Sequence, residues 1–138
     1  MASFVITSEY VALNGTDYSA YVKSCTLEAT ADTPEFTTMT SAGAREHKQG
    51  LKAGTLNIEF NQDFAASAID SVLWGFYNTG TNVTFEIRPT SAAVSATNPK
   101  FTGSVVPAGY TVVGGAVGDA GGSSVAWPVS GAITRATA

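Results

Sequence analysis

The chain has 138 residues, a formal net charge of −4 and a charged fraction of only 13%. A chain of this length can fold as one domain with its own core, and its acidic balance argues against nucleic-acid binders, which carry a basic patch or stripe. Because charge keeps soluble proteins apart, so few charges predict that much of the neutral surface is buried between subunits.

The opening MASFVITSEY has neither a basic region nor an apolar core of the kind that secretion signals carry. No apolar run approaches the length of a membrane span. We therefore expect a protein that is made and kept in a cytosol, without a membrane partner. The single cysteine, Cys25, excludes a disulfide within the chain and is expected to be a buried or half-buried strand residue.

The first quarter of the chain predicts short strands and tight turns. Strands are predicted at Ser3–Ile6 and Tyr10–Leu13, and Asn14-Gly15 predicts a turn because both residues accept positive φ. Residues 18–21 are predicted to form a turn or 3₁₀ segment, and Val22–Ala31 a long strand with one polar face.

Residues 32–50 are unusual for a compact domain. They contain Pro34, Gly43 and Gly50 and few large apolar side chains beyond Phe36 and Met39. Structureless connections of this length are uncommon and tend to be functional or disordered. The sequence predicts a long polar loop that a single domain does not explain.

The clearest strand is Leu51–Asn61, in which apolar and polar residues alternate and Leu56, Ile58 and Phe60 are predicted to point inward. The apolar period then changes to that of a helix. Asp63 is a suitable N-cap, and the spacing predicts one helix over residues 64–76. Its apolar face consists of Ile69, Val72, Leu73 and Phe76.

The remaining strands are short and bounded by Gly, Pro and Ser. They are predicted at Thr81–Arg88, Phe101–Val106, Tyr110–Val117, Ser123–Trp127 and Gly131–Arg135. Seven or eight short strands with closely spaced turns indicate a mainly β fold, a sandwich or barrel, with one flanking helix and residues 1–138 in a single domain.

No residue pattern indicates catalysis, a metal site or a cofactor. His47 is the only histidine, so a zinc site lacks ligands. A nucleophile pair of Cys25 and His47 lacks a third, orienting residue. The Gly-rich stretch 114–122 has neither the order of a dinucleotide fingerprint nor a helix after it, and is predicted to be a turn. An enzyme is not expected.

Five stretches of the chain, 13–19, 50–64, 86–92, 98–103 and 131–136, carry a resemblance to a known family. They resemble the major tail proteins, or tail-tube proteins, of long-tailed siphophages and related prophages of actinobacteria. The chain departs from the resemblance in the loop 33–49.

The resemblance implies a structural virion protein with no enzymatic activity. Six such subunits form a ring whose sheets join into an inner β-barrel, and rings stack through a long loop and the termini. The loop residues expected at that contact are Pro34, Phe36, Met39, Arg45 and Lys48. Implied partners are further copies of the chain, tape-measure, tail-terminator and distal tail proteins, and DNA passing through the lumen without specific contacts. The implied location is the phage tail, after assembly in the host cytoplasm.

The acidic composition fits a tube through which DNA slides, because a basic wall would bind phosphates and hold the DNA. Glu28 and Glu59, on polar strand faces, are the candidate lumen charges. The alternative is a capsid decoration protein or another virion binding module with a β-sandwich fold, possessing an exposed aromatic patch for which Trp74 and Trp127 are the candidates.

Overall fold

The computed structural model describes residues 5–138, which form a mainly β fold with eight strands and one helix. The strands are β1 Tyr10–Leu13, β2 Thr16–Asp17, β3 Val22–Ala31, β4 Lys52–Asn61, β5 Val83–Arg88, β6 Lys100–Val105, β7 Thr111–Gly114 and β8 Gly122–Ala136, and the helix is α1 Ile69–Thr79. The strand predicted at Ser3–Ile6 lies partly outside the described residues, and Val5 and Ile6 have no regular structure.

Most strand predictions are confirmed, two of them to the residue: β1 and β3 have the predicted bounds. The turn at Asn14-Gly15 has φ of 52° and 85°, and a 3₁₀ turn covers Ser19–Tyr21. β7 ends at Gly114, earlier than predicted. Beyond it the Asp119 side chain accepts a 2.9 Å hydrogen bond from the Ala116 amide, which closes the chain into a turn.

The sheet follows one antiparallel path, β2-β1-β5-β6-β8-β4-β3, with β7 also paired to β8. It folds into two layers because the long strand β8 belongs to both. Residues 122–128 pair with β4, and residues 129–136 pair with β6. We call β1, β2, β5, β6 and the second half of β8 layer A. Layer B comprises β3, β4, β7 and the first half of β8.

The prediction of two strands separated by Pro128 was wrong, because β8 is continuous from Gly122 to Ala136. Proline has no amide hydrogen and normally interrupts a ladder. Pro128 stands opposite Thr55 in the last β4–β8 pair, where that ladder ends in any case. The proline therefore marks the place where β8 passes from one layer to the other.

The core lies between the layers and under α1. Phe60 and Leu73, predicted to point inward, are both fully buried. Trp127 is buried as well, and its Nε1 donates a 2.7 Å hydrogen bond to the Gly109 carbonyl. The Phe76 ring meets the Trp127 ring edge-on at 6.3 Å, so the helix closes this end of the sandwich.

The predicted helix bounds, 64–76, were wrong at both ends, since α1 runs from Ile69 to Thr79. Asp63 caps a turn, not the helix: its Oδ1 accepts a 2.9 Å hydrogen bond from the Ala65 amide. Ser67 then takes a left-handed conformation with φ of 61°, which prevents a helix from passing through it. Gly80, with φ of 73°, ends the helix.

Candidate assembly surfaces

The two residues considered for nucleophilic chemistry lie in unsuitable surroundings. Cys25 is in the middle of β3, and burial, with a smaller effect from the charge of Glu9, raises the pKa of its thiol to about 12. A thiol with so high a pKa is neutral at pH 7 and is a poor nucleophile. His47 lies in the segment between β3 and β4, where its backbone pairs with that of Glu35 in an isolated antiparallel β-bridge.

Within residues 5–138, no group of three or more His, Cys, Asp or Glu side chains is placed to hold a metal ion. Across the same part of the chain, no helix has the length and apolar content that crossing a bilayer requires.

Layer B presents an uncovered polar face. Its outward residues pair across β3 and β4 as Ser24 with Glu59, Thr26 with Asn57 and Glu28 with Thr55, and across β4 and β8 as Asn57 with Ala126. Directly opposed residues in an antiparallel pair share a face, and these β3 and β4 side chains are exposed. The structure thus places Glu28 and Glu59 on one face, about 13 Å apart along the strands.

The edges of layer B are unpaired in the described part of the chain. β3 ends the strand path, so one side of its ten residues has no backbone partner. At the opposite edge, β7 pairs only with β8. A long open edge is a template for strand addition from another chain. Layer B therefore has a free edge on each side.

Residues 32–51 are more ordered than the sequence predicted, because they prolong the β3–β4 hairpin. The Phe36 amide donates to the Glu46 carbonyl at 2.7 Å, and the Lys48 amide donates to the Pro34 carbonyl at 3.2 Å. A 3₁₀ turn at Met39–Ser41 forms the tip. We call residues 32–51 the arm.

The predicted contact residues are all on the arm, and the structure spreads them along its length. Pro34 and Lys48 form its base, and the Lys48 ammonium lies 4.9 Å from the centre of the Phe36 ring. Arg45 pairs with Glu35 at 3.9 Å. Met39 is fully exposed at the tip. An exposed methionine at the end of a projecting hairpin has no role in this chain's own core.

The sequence did not predict the cleft that opens where β4 and β8 separate. Gly54 lies at this fork, where a Cβ atom would come within 2.9 Å of Ile133 Cδ1 and 3.2 Å of Val129 Cγ2. Only glycine lets the two layers approach so closely. Beyond the fork they diverge and enclose about 1010 Å³.

The cleft has apolar walls and a charged rim. Its walls include Leu27, Ala29, Ile87, Phe101 and Ile133. Its rim carries Glu9, Lys52, Arg88 and Arg135. A sandwich usually fills the space between its sheets with side chains, so this is the open end of the fold. Glycine within a strand is the sequence signal of such a close approach.

No protein-family profile and no curated protein matches this sequence. Solved structures do share the fold. A chain of the virion of a native gene transfer agent particle superposes with a TM-score of 0.76 at 13% identity, over 96% of this chain and 98% of that one. A chain from the tail of an empty gene transfer agent particle, with C6 symmetry, gives 0.68 at 15% identity, over 86% and 83%. These likenesses establish a common fold.

Proposed function

We propose that this chain is the structural subunit of a phage-type tail tube, in which rings of six copies stack around a lumen that DNA crosses. The observation that carries the proposal is layer B, a sheet with two open edges and an uncovered, weakly charged face. A protein that acted as a monomer would cover or interrupt such a sheet. The fold that the chain shares with components of a virion and of a sixfold-symmetric tail supports the proposal.

The open edges provide the contact within a ring. β3 of one copy pairs with β7 of its neighbour, so that backbone hydrogen bonds continue from one layer B to the next. Because the two edges differ, the contact is heterologous, and repeating it around an axis closes a ring. Layer B then has no exposed strand edge in the ring.

The outward face of layer B lines the lumen of the ring. Its β3 and β4 residues from Ser24 to Glu28 and from Thr55 to Glu59 include two charges, both carboxylates. Phosphates are repelled by such a wall, whereas a basic wall would bind them. Glu28 and Glu59 therefore prevent DNA from binding to the wall of the lumen.

The arm carries Met39 and Phe36 out of the subunit and contacts the adjacent ring. Tape-measure, tail-terminator and distal tail proteins would meet the tube along its lumen and at its ends, and the protein would reside in the virion tail.

The lumen assignment is tested by combining Glu28→Lys with Glu59→Lys in virions built with this chain. Tails are expected to form and adsorb normally, but genome ejection is expected to slow and to recover as salt rises, because phosphate binding weakens with salt. The matched control, Glu28→Gln with Glu59→Gln, removes the charges without adding cations and is expected to eject faster than the lysine variant. Normal ejection by the lysine variant, or failure of its tubes to form, would contradict the assignment.

A further inference from the structure

The basic residues of the subunit are concentrated at one of its two ends. β4 is ten residues long, so its ends are about 30 Å apart. We call the end with Lys52 and the arm the cleft end, and the end with Asn61 and α1 the helix end. Six of the seven Lys and Arg residues are at the cleft end, namely Arg45, Lys48, Lys52, Arg88, Lys100 and Arg135. Acidic residues there are Glu9, Glu28, Asp32, Glu35, Glu46 and Glu86, so this end is balanced in charge and the excess of negative charge lies at the helix end.

Two rim cations of the cleft are available to a partner. Arg88 is occupied by Glu86, at 2.6 Å. Within residues 5–138, neither Lys52 nor Arg135 has a carboxylate within 4 Å. Below them lie apolar walls formed by Leu27 and Phe101. The cleft therefore suits an apolar group that has an acidic group beside it.

The helix end carries such a pair of groups. Acidic residues dominate there, namely Asp17, Glu59, Asp63, Asp70 and Asp119, against the single base Lys23. The turn 62–68 projects Phe64, whose side chain is 61% exposed, directly after Asp63.

A network of hydrogen bonds holds this turn in place. The Gln62 side-chain Nε2 donates to Tyr110 Oη at 2.7 Å, and that hydroxyl donates to Asp70 Oδ1 at 2.8 Å. The Asp70 amide donates to the Asp63 carbonyl at 3.2 Å. The exposed Phe64 is thus presented by a fixed support, which lowers the entropy cost of binding through it.

We propose that the turn 62–68 of one copy docks in the cleft of a second copy, with Phe64 between the layers and Asp63 paired with Lys52 or Arg135. This inference rests on the proposed function, because it assigns the axial contact between successive rings. The donor and acceptor surfaces of one subunit lie too far apart to meet each other, so each copy gives its turn to one neighbour and accepts that of another. Such a contact propagates into a polar filament.

Charge distinguishes this occupant from the arm, the other projecting segment of the chain. The arm has mixed charges, because Arg45 and Lys48 lie beside Asp32, Glu35 and Glu46. Its groups are also engaged within the arm, where Arg45 pairs with Glu35 and Lys48 lies over the Phe36 ring. The turn 62–68 carries only the negative charge of Asp63. Within the docked pair, the arm of the accepting copy lies beside the neighbour's helix end.

Exchanging the charges of Asp63 and the two rim cations tests the pairing. The measured quantity is the lowest protein concentration at which tubes grow. Asp63→Lys is expected to raise that concentration about tenfold or more, because it replaces an attraction with a repulsion. Asp63→Asn keeps the acceptor for the Ala65 amide and removes only the charge, so a smaller rise is expected. Adding Lys52→Asp and Arg135→Asp to Asp63→Lys is expected to restore growth. Unchanged growth of the Asp63→Lys protein would overturn the proposal.

Cross-linking tests the contact independently of its strength. In a Cys25→Ala background, Ala65→Cys on the turn and Ala29→Cys in the cleft place the two thiols at opposite ends of one subunit. Oxidation of assembled tubes is expected to give a covalent ladder of multimers. The control combines Ala29→Cys with Val117→Cys. Val117 is fully exposed in the turn after β7, which also lies at the helix end. The control protein is expected to remain monomeric after oxidation.

The outcomes separate this inference from the proposed function. Tubes without a ladder would overturn the docking and leave the tail-tube proposal standing. Failure of the unmodified protein to assemble would overturn both.

Discussion

The helix end and the cleft end are built from similar apolar residues but packed in opposite ways. At the helix end, α1 covers the sandwich, and Phe60, Leu73 and Trp127 are fully buried. At the cleft end the layers part at Gly54, and Leu27 and Ile133 are only partly buried beside open space. The chain itself covers the apolar surface of the helix end, whereas apolar surface at the cleft end remains open to a partner.

This difference separates the residues that stabilise the fold from those that the proposed assembly would use. Close packing makes core substitutions costly, whereas side chains beside a void lose fewer contacts when shortened. Changes at the helix-end core should therefore reduce the free energy of unfolding. Changes at the cleft and arm should affect assembly more than folding.

The largest effect on stability is expected from Phe60→Ala and Leu73→Ala. Each is expected to lower the free energy of unfolding by about 2–5 kcal/mol, since each empties a fully buried site. The matched control is Leu27→Ala, the same chemical change at the cleft end, and its cost is expected to fall below that of Leu73→Ala. Denaturant unfolding of the monomer measures the free energy of unfolding of all three variants. An equal loss from Leu73→Ala and Leu27→Ala would contradict the difference in packing between the two ends.

An intermediate effect on stability is expected as the pH rises through the range in which the Cys25 thiol ionises. Its pKa is raised from 9.0 to about 12 in the folded chain, so the unfolded thiol ionises first as pH rises. Its contribution to stability is therefore complete below pH 9 and is lost between about pH 9 and pH 12, by up to about 1.4 kcal/mol per pH unit. Cys25→Ala is expected to unfold with a shallower pH dependence over that window. Parallel pH profiles for the two proteins would show that the thiol is not shielded.

The smallest effect on stability is expected from shortening the arm. Replacing residues 36–48 with an Asn-Gly turn removes the tip but keeps the hairpin, and loop length changes cost little. The shortened chain is expected to melt within about 1 kcal/mol of the full chain but to form no tubes. Circular dichroism and electron microscopy measure the two halves of this prediction. A shortened chain that still polymerises would show that the arm has no part in stacking.

The sequence predicted the fold class because short-range patterns determine it here. Alternation at Leu56, Ile58 and Phe60 predicted an inward strand face, and all three are buried. The sequence also predicted the Asn14-Gly15 turn and the apolar face of α1 that contains Leu73, and the structure has both. The polar faces bearing Glu28 and Glu59 were also predicted, and the register places them together.

The errors arose where long-range pairing outweighs local pattern. Asp63 looked like a helix cap, but its side chain closes a turn that Tyr110, distant in sequence, helps to hold. Pro128 looked like a strand end, but β8 changes partners there. The cleft could not be predicted, because it depends on where β4 and β8 separate.

Electron microscopy of the purified, unmodified protein tests the central claim most directly. Hollow tubes of uniform width are expected, with sixfold rings in end-on averages and layer B around the lumen. Dispersed monomers or trimers under conditions that keep the chain folded would contradict it.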